Sequence, residues 1–144
     1  MQMPSIQELV SHPIVIRALD VAWADSFSED PLMRHEEGGW IYFRPDTNEL
    51  ITRRAPSGEI DSIKLGYPIV IPGWYIIGMY HTHPNPTAEG WNPEPSIADR
   101  QLHKWAGVPG IVRSDRGIHL CGPDARCDGL KFGEGFPRLG DDPS

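Results

Sequence analysis

Hydrophobic positions change period several times along this chain, and each change marks an element. Val15, Leu19, Ala22 and Trp23 recur at i, i+4, i+7 and i+8, one face of a helix whose first turn suits Pro13. Ahead of it, Ser5-Ile6-Gln7-Glu8 forms a capping box that opens a short first helix. The second helix is expected to fade between Ser26 and Asp30. Trp40 to Phe43 is aromatic and β-branched, and Leu50 to Thr52 returns after the turn residues Pro45-Asp46-Thr47-Asn48, which predicts two strands. A third strand is predicted near Ile60 to Leu65. Trp74 to Tyr80, WYIIGMY, is an apolar run of strand length and predicts a buried strand. A Pro- and Gly-rich loop from Pro84 to Pro95 follows. Ser96 then caps a helix with Ala98, Leu102, Trp105 and Ala106 on one face, ended by Gly107. Ile111–Val112 and Ile118–Leu120, joined by Ser-Asp-Arg-Gly, predict a final hairpin.

This order of helices, strands, one inserted helix and further strands predicts an α/β fold, a mixed β-sheet flanked by helices. One domain is expected over residues 1–128, with a Gly/Pro-rich, charged tail over 129–144. The 144 residues are 39% hydrophobic and include five tryptophans, enough for one core without disulfide staples. Thirteen basic residues face 20 acidic ones, a net charge of -7, so a nucleic-acid partner and an anionic membrane surface are both disfavoured. No apolar run approaches the ~20 residues of a membrane span. The opening MQMPSIQELV lacks the basic and apolar regions of a signal peptide. With Cys121 and Cys127 read as reduced bystanders, a cytoplasmic location is expected.

Candidate chemistry gathers at the end of the WYIIGMY run. His81 and His83 stand two residues apart, so a strand continuing through them would point both imidazoles to one side, a natural pincer for a divalent metal. Ser96-Ile97-Ala98-Asp99 is ordinary helix initiation taken alone, but a first-turn carboxylate there can reach back to the two imidazoles. Two histidines and one carboxylate are the donor set of an open, catalytic zinc site. Glu36 and Glu37 precede the Gly38-Gly39 pair. Neighbouring side chains on extended backbone face opposite ways, so at most one of these acids enters a pocket with the histidines. Among the other histidines, His35 reads as a solvated loop residue, His103 as exposed, and His12 and His119 as structural.

Glu36-Glu37-Gly38-Gly39, His81-Thr82-His83-Pro84 and Ser96-Ile97-Ala98-Asp99, in that order, resemble the signature of the JAMM or MPN-type (JAB) metalloproteases. The likeness covers roughly Ser11 to Gly122. It implies an MPN/JAB-like, cytidine-deaminase-like fold holding Zn2+ on His81, His83 and Asp99. It makes Glu36 the acid/base, with Glu37 as the alternative, and Ser96 the group that polarises the carbonyl and holds the oxyanion. The activity it implies is hydrolysis of an amide or isopeptide bond in a protein or peptide substrate, in a family whose members often cleave at the tail of ubiquitin-like proteins. Twelve residues, Pro84 to Pro95, separate His83 from Ser96, more than the family pattern has, and they bring Glu89 and Glu94 forward as rival carboxylates. Trp91 in this loop is either a substrate-facing lid residue or an aromatic laid on the domain's own surface. Two other readings stand beside this one: a metal-free MPN-type scaffold, and a cupin-like site of His81, His83 and Glu89.

Overall fold

The computed structural model describes residues 4–66, 68–93, 95–97, 99 and 107–121. Two helices open the chain. α1 (Ile6–Ser11) begins at the capping box read from the sequence, with Ser5 Oγ accepting from Glu8 N–H and the Glu8 carboxylate accepting from Ser5 N–H. α2 (Pro13–Asp25) has Pro13 in its first turn and His12 as its cap, the His12 Nδ1 accepting from Ile14 N–H at 3.2 Å. Val15, Leu19 and Ala22 are buried as the helical period requires. Trp23 is only half-buried and carries the Arg113 guanidinium over its ring at 4.9 Å.

Five strands follow: β1 (Gly38–Arg44), β2 (Glu49–Arg54), β3 (Tyr75–Thr82), β4 (Gly110–Ser114) and β5 (Gly117–Cys121). They form one mixed sheet in the order β2-β1-β3-β4-β5, in which only the β3–β4 pair is parallel. The central strands β1, β3 and β4 are buried on both faces. On the helix side Ile41, Phe43, Ile77, Tyr80 and Ile111 pack against Leu9, Val15 and Leu19. On the other side Trp40, Tyr42, Ile76 and Met79 pack against Leu65 and Val108.

A bulge sets the facing of everything downstream on β3. Ile41 pairs with Gly78 but Tyr42 pairs with Ile76, so Ile77 is an extra residue on β3. Past it, Met79 and His81 face away from α2, while Tyr80 and Thr82 face it. Thr82 Oγ1 lies 2.6 Å from Ser26 Oγ at the end of α2.

The strand expected near Ile60–Leu65 does not form. Glu59 N–H donates to the Ser62 carbonyl at 2.7 Å, which turns the chain back on itself before it can extend. Leu65 still reaches the core, from an irregular segment. The helix expected after Ser96 is described only at Ile97 and Asp99, both helical. The rest of it up to residue 106, including His103, lies outside the described residues, as do Cys127 and the expected tail. Within the described residues the chain is a single α/β unit of two helices and one mixed sheet, and no helix there is long and apolar enough to cross a membrane.

Candidate metal centre

The site stands at the C-terminal end of β3, on the face away from α2. His81 is next to last in the strand, and His83 follows it with its N–H donated to the Arg113 carbonyl at 2.7 Å, extending the β4 ladder by one residue. The strand alternation therefore holds through both histidines. Their Nε2 atoms are 3.2 Å apart.

β1 brings in the glutamates. Ahead of Gly38, Thr82 N–H donates to the Glu37 carbonyl at 2.9 Å and Glu37 N–H donates to Thr82 Oγ1 at 3.0 Å. The 58–59 segment clamps Glu36 from the other side: Glu36 N–H donates to the Glu59 carbonyl and Gly58 N–H to the Glu36 carbonyl, both at 2.8 Å. A side chain at Gly38 would collide with the Tyr80 carbonyl and stand 2.8 Å from His81 Cβ, so glycine there lets β1 lie close against the first histidine.

On this extended backbone the two acids diverge, as strand geometry requires. Glu36, 3% exposed, enters the histidine cleft, where its carboxylate, His81 and His83 offer ligand atoms that all lie within 4.8 Å of one another. That cluster is close enough to bind a metal ion. Glu37 turns the other way, accepting from His35 Nε2 at 2.6 Å, Ser57 Oγ at 2.6 Å and Arg54 Nη2 at 2.7 Å. His35 is thus not a solvated loop residue: it is half-buried between the Met33 carbonyl and Glu37, which raise its pKa against the cost of burial.

Asp99 completes the arrangement from the helix start. Its Oδ1 is 3.1 Å from His81 Nε2 and its Oδ2 is 3.0 Å from His83 Nε2. Ser96 N–H donates to Asp99 Oδ2 at 2.8 Å and Asp99 N–H donates to Ser96 Oγ at 3.1 Å. The same carboxylate thus closes the Ser-x-x-Asp cap and stands against both imidazoles. Burial pushes the Asp99 carboxyl up, but His81, His83 and the Ser96 N–H outweigh it and hold the carboxyl well below the usual range. Glu36 goes the other way. Burial, then the charges of Asp99 and Asp61, push it up to about 9.

Two imidazole Nε2 atoms and a carboxylate converging at about 3 Å are a set of lone pairs that needs a cation among them. Protons can fill that role, and so can a divalent ion, for which nitrogen and carboxylate oxygen are ordinary donors. The residues present fit a metal.

A cleft of about 270 Å³ opens over the site, lined by Glu36, Asp61, His83, Asn85, Trp91, Asn92, Ser96 and Asp99. A larger one, about 750 Å³, is lined by Trp23, Arg34, Arg113 and Arg116 among others and contains neither histidine. The Pro84–Pro95 loop is pinned along its first half. Asn85 donates to the Ile60 carbonyl at 2.7 Å, Thr87 donates to Asp115 through both N–H and hydroxyl at 3.1 Å, and Glu89 pairs with Arg34 at 3.3 Å. Glu89 is thereby committed away from the histidines, and Glu94 lies outside the described residues. Trp91 follows the left-handed Gly90 and lines the cleft. Asp61 and Asn85 were not singled out from the sequence. Asn85 was signalled only by its place just after His-Thr-His-Pro, and Asp61 by nothing local. No known family model matches the chain, and neither a curated protein nor a solved structure shows significant similarity to it.

Proposed function

We propose that this chain is a zinc-dependent hydrolase of amide or isopeptide bonds, of the JAMM/MPN type. The observation that supports it most is the convergence of Asp99 on both imidazoles with Glu36 beside them in one open cleft. His81, His83 and Asp99 would hold the ion, an open donor set that leaves room for a substrate. Zinc bound there would supply a Lewis acid that polarises a carbonyl and acidifies a water.

The remaining steps belong to the chain's own groups. Glu36 takes a proton from water in the cleft and hands it to the departing amine. Burial makes this carboxylate unusually basic, and it would be drawn back toward the working range by a cation held on the neighbouring histidines. Ser96 Oγ accepts from Asp99 N–H, which leaves its hydroxyl proton to donate to the carbonyl oxygen under attack. The substrate is a protein or peptide, and the tail of a ubiquitin-like protein is the class that the motif resemblance brings with it.

The competing readings fare less well. A metal-free scaffold has no use for Glu36 turned into the cleft. A cupin-like site needs Glu89, which is paired with Arg34. The deciding experiment is the zinc content of purified wild type against His83→Ala and Asp99→Ala. About one zinc per chain in wild type, lost in both variants, is expected. No stoichiometric metal in wild type, or no loss in either variant, ends the proposal. Glu36→Gln should keep the metal and lose hydrolysis of a panel of fluorogenic peptides and ubiquitin-like conjugates.

A further inference from the structure

Three groups in the cleft are left unused by that chemistry. Asp61 lines it with an exposed carboxylate, and among the described residues no cation pairs with it. Asn85 lines the same cleft at 6% exposure. Its amide N–H2 donates to the Ile60 carbonyl, while its buried Oδ1 accepts from nothing among the described residues. Buried carbonyl oxygens almost always have a donor, so one without a donor beside a cleft marks a place for a ligand N–H. Trp91 supplies an aromatic wall that is 40% exposed.

The three ask for the same partner. A carboxylate attracts a cation, an orphan carbonyl oxygen wants an N–H, and an indole face attracts cations before any other charge. An ammonium or guanidinium on a flexible stem meets all three at once, whereas an acidic or phosphorylated group meets none. The elements that carry these residues are held in place. Asp61 sits in the turn closed by the Glu59–Ser62 hydrogen bond, next to the backbone that clamps Glu36. Asn85 ties the loop to that turn through Ile60, and Arg34–Glu89 holds the loop two residues before Trp91. The net charge of -7 steers a cationic partner toward the molecule.

We infer that the cleft beside the histidines is a subsite for a lysine or arginine side chain of a peptide substrate, built from Asp61, Asn85 and Trp91. The inference deepens the hydrolase reading and rests on it for the position of the cleaved bond, but not for the binding of the cation.

The test uses the full-length chain, 15N-labelled, with zinc content measured on the same sample. Acetyl-Gly-Gly-Lys-Gly-amide and its arginine, norleucine and glutamate counterparts are titrated in and followed by amide shifts. The lysine and arginine peptides should bind roughly fivefold or more tighter than the norleucine peptide, with glutamate weakest, as one exposed ion pair plus an aromatic contact allows. Asp61→Asn and Trp91→Leu should each remove most of that margin, and salt near ~0.5 M should shrink it in wild type without any substitution. Equal affinity for lysine and norleucine, no saturable binding of the lysine peptide at millimolar concentration, or a margin intact in Asp61→Asn overturns the subsite. A lysine margin in a sample without stoichiometric zinc keeps the subsite and removes the hydrolase reading. Stoichiometric zinc with no margin does the reverse.

Discussion

Gly38→Ala is the substitution whose effect the backbone geometry fixes most tightly. A Cβ at this position meets the Tyr80 carbonyl and stands 2.8 Å from His81 Cβ, where ordinary contact starts at 3.4 Å. The clash is with backbone and with the root of an imidazole side chain, so no flexible tip can swing aside. β1 and β3 must part by more than half an ångström at the residue that carries the first histidine. Overpacking of this kind costs about 1–3 kcal/mol. For a chain of 144 residues that corresponds to a fall in Tm of roughly 3–12 °C. On the zinc-site proposal, misplacement of His81 should also weaken metal affinity by about tenfold or more, the scale on which displaced ligand supports act. Gly78→Ala is the control. It lies in the same strand, but its Cβ would come only to 3.3 Å from Ile41 Cδ1, a side-chain end that can yield. The assays are thermal unfolding by circular dichroism and zinc affinity by competition with a chromogenic chelator. A Gly38→Ala protein that matches wild type in both, or a Gly78→Ala protein that is equally impaired, refutes the reasoning.

In chelated protein, Glu36 keeps its proton up to about pH 9 while the unfolded chain releases it near the ordinary 4.5. Its contribution to stability is therefore full below the lower value and is lost as pH rises toward the upper one, at up to about 1.4 kcal/mol per pH unit. Glu36→Gln should flatten the stability curve between roughly pH 5 and 8, and superimposable slopes for the two proteins in urea melts would falsify this. Glu37→Gln breaks up the contacts to Arg54, His35 and Ser57 on the opposite side of the backbone. It should cost roughly 1–3 kcal/mol and, on the zinc-site proposal, leave metal content unchanged; loss of metal would show that the two glutamates do not act separately. Leu19→Ala, at a fully buried position of α2, should cost about 2–5 kcal/mol, and a denaturation midpoint equal to wild type would mean that α2 does not pack on the sheet as described.

The histidine pair and the two glutamates were legible in the sequence because each rests on a single local rule, the alternation of a strand. That rule places His81 beside His83 and sends Glu36 and Glu37 apart without knowledge of the rest of the fold. Ser96 and Asp99 were legible as a cap, since both partners lie within one helical turn. The rest depends on non-local contacts. Nothing in WYIIGMY marks Ile77 as the bulged residue, because the choice is made by its pairing with Ile41 and Tyr42 across the sheet. Ile60 to Leu65 is apolar and β-branched enough to suggest a strand, yet the turn at Glu59–Ser62 and the backbone bonds to Glu36 claim it. Asp61 and Asn85 reach the cleft only because that turn and the loop after His83 meet in space.

The threonine between the two histidines has one consequence of its own. Glu37 N–H can only donate to Thr82 Oγ1, and the Ala22 carbonyl can only accept from Ser26 Oγ, at 2.7 Å. The hydroxyl protons between them are then fixed in direction: Thr82 donates to Ser26, and Ser26 donates to the helix. This one-way relay fastens the middle of the His-Thr-His triplet to the end of α2 while its two imidazoles face the opposite way. Serine could occupy position 82 and keep the relay, whereas valine, the same shape without the oxygen, would strand the Glu37 N–H and remove this polar tie between the end of α2 and the strand that presents the histidines.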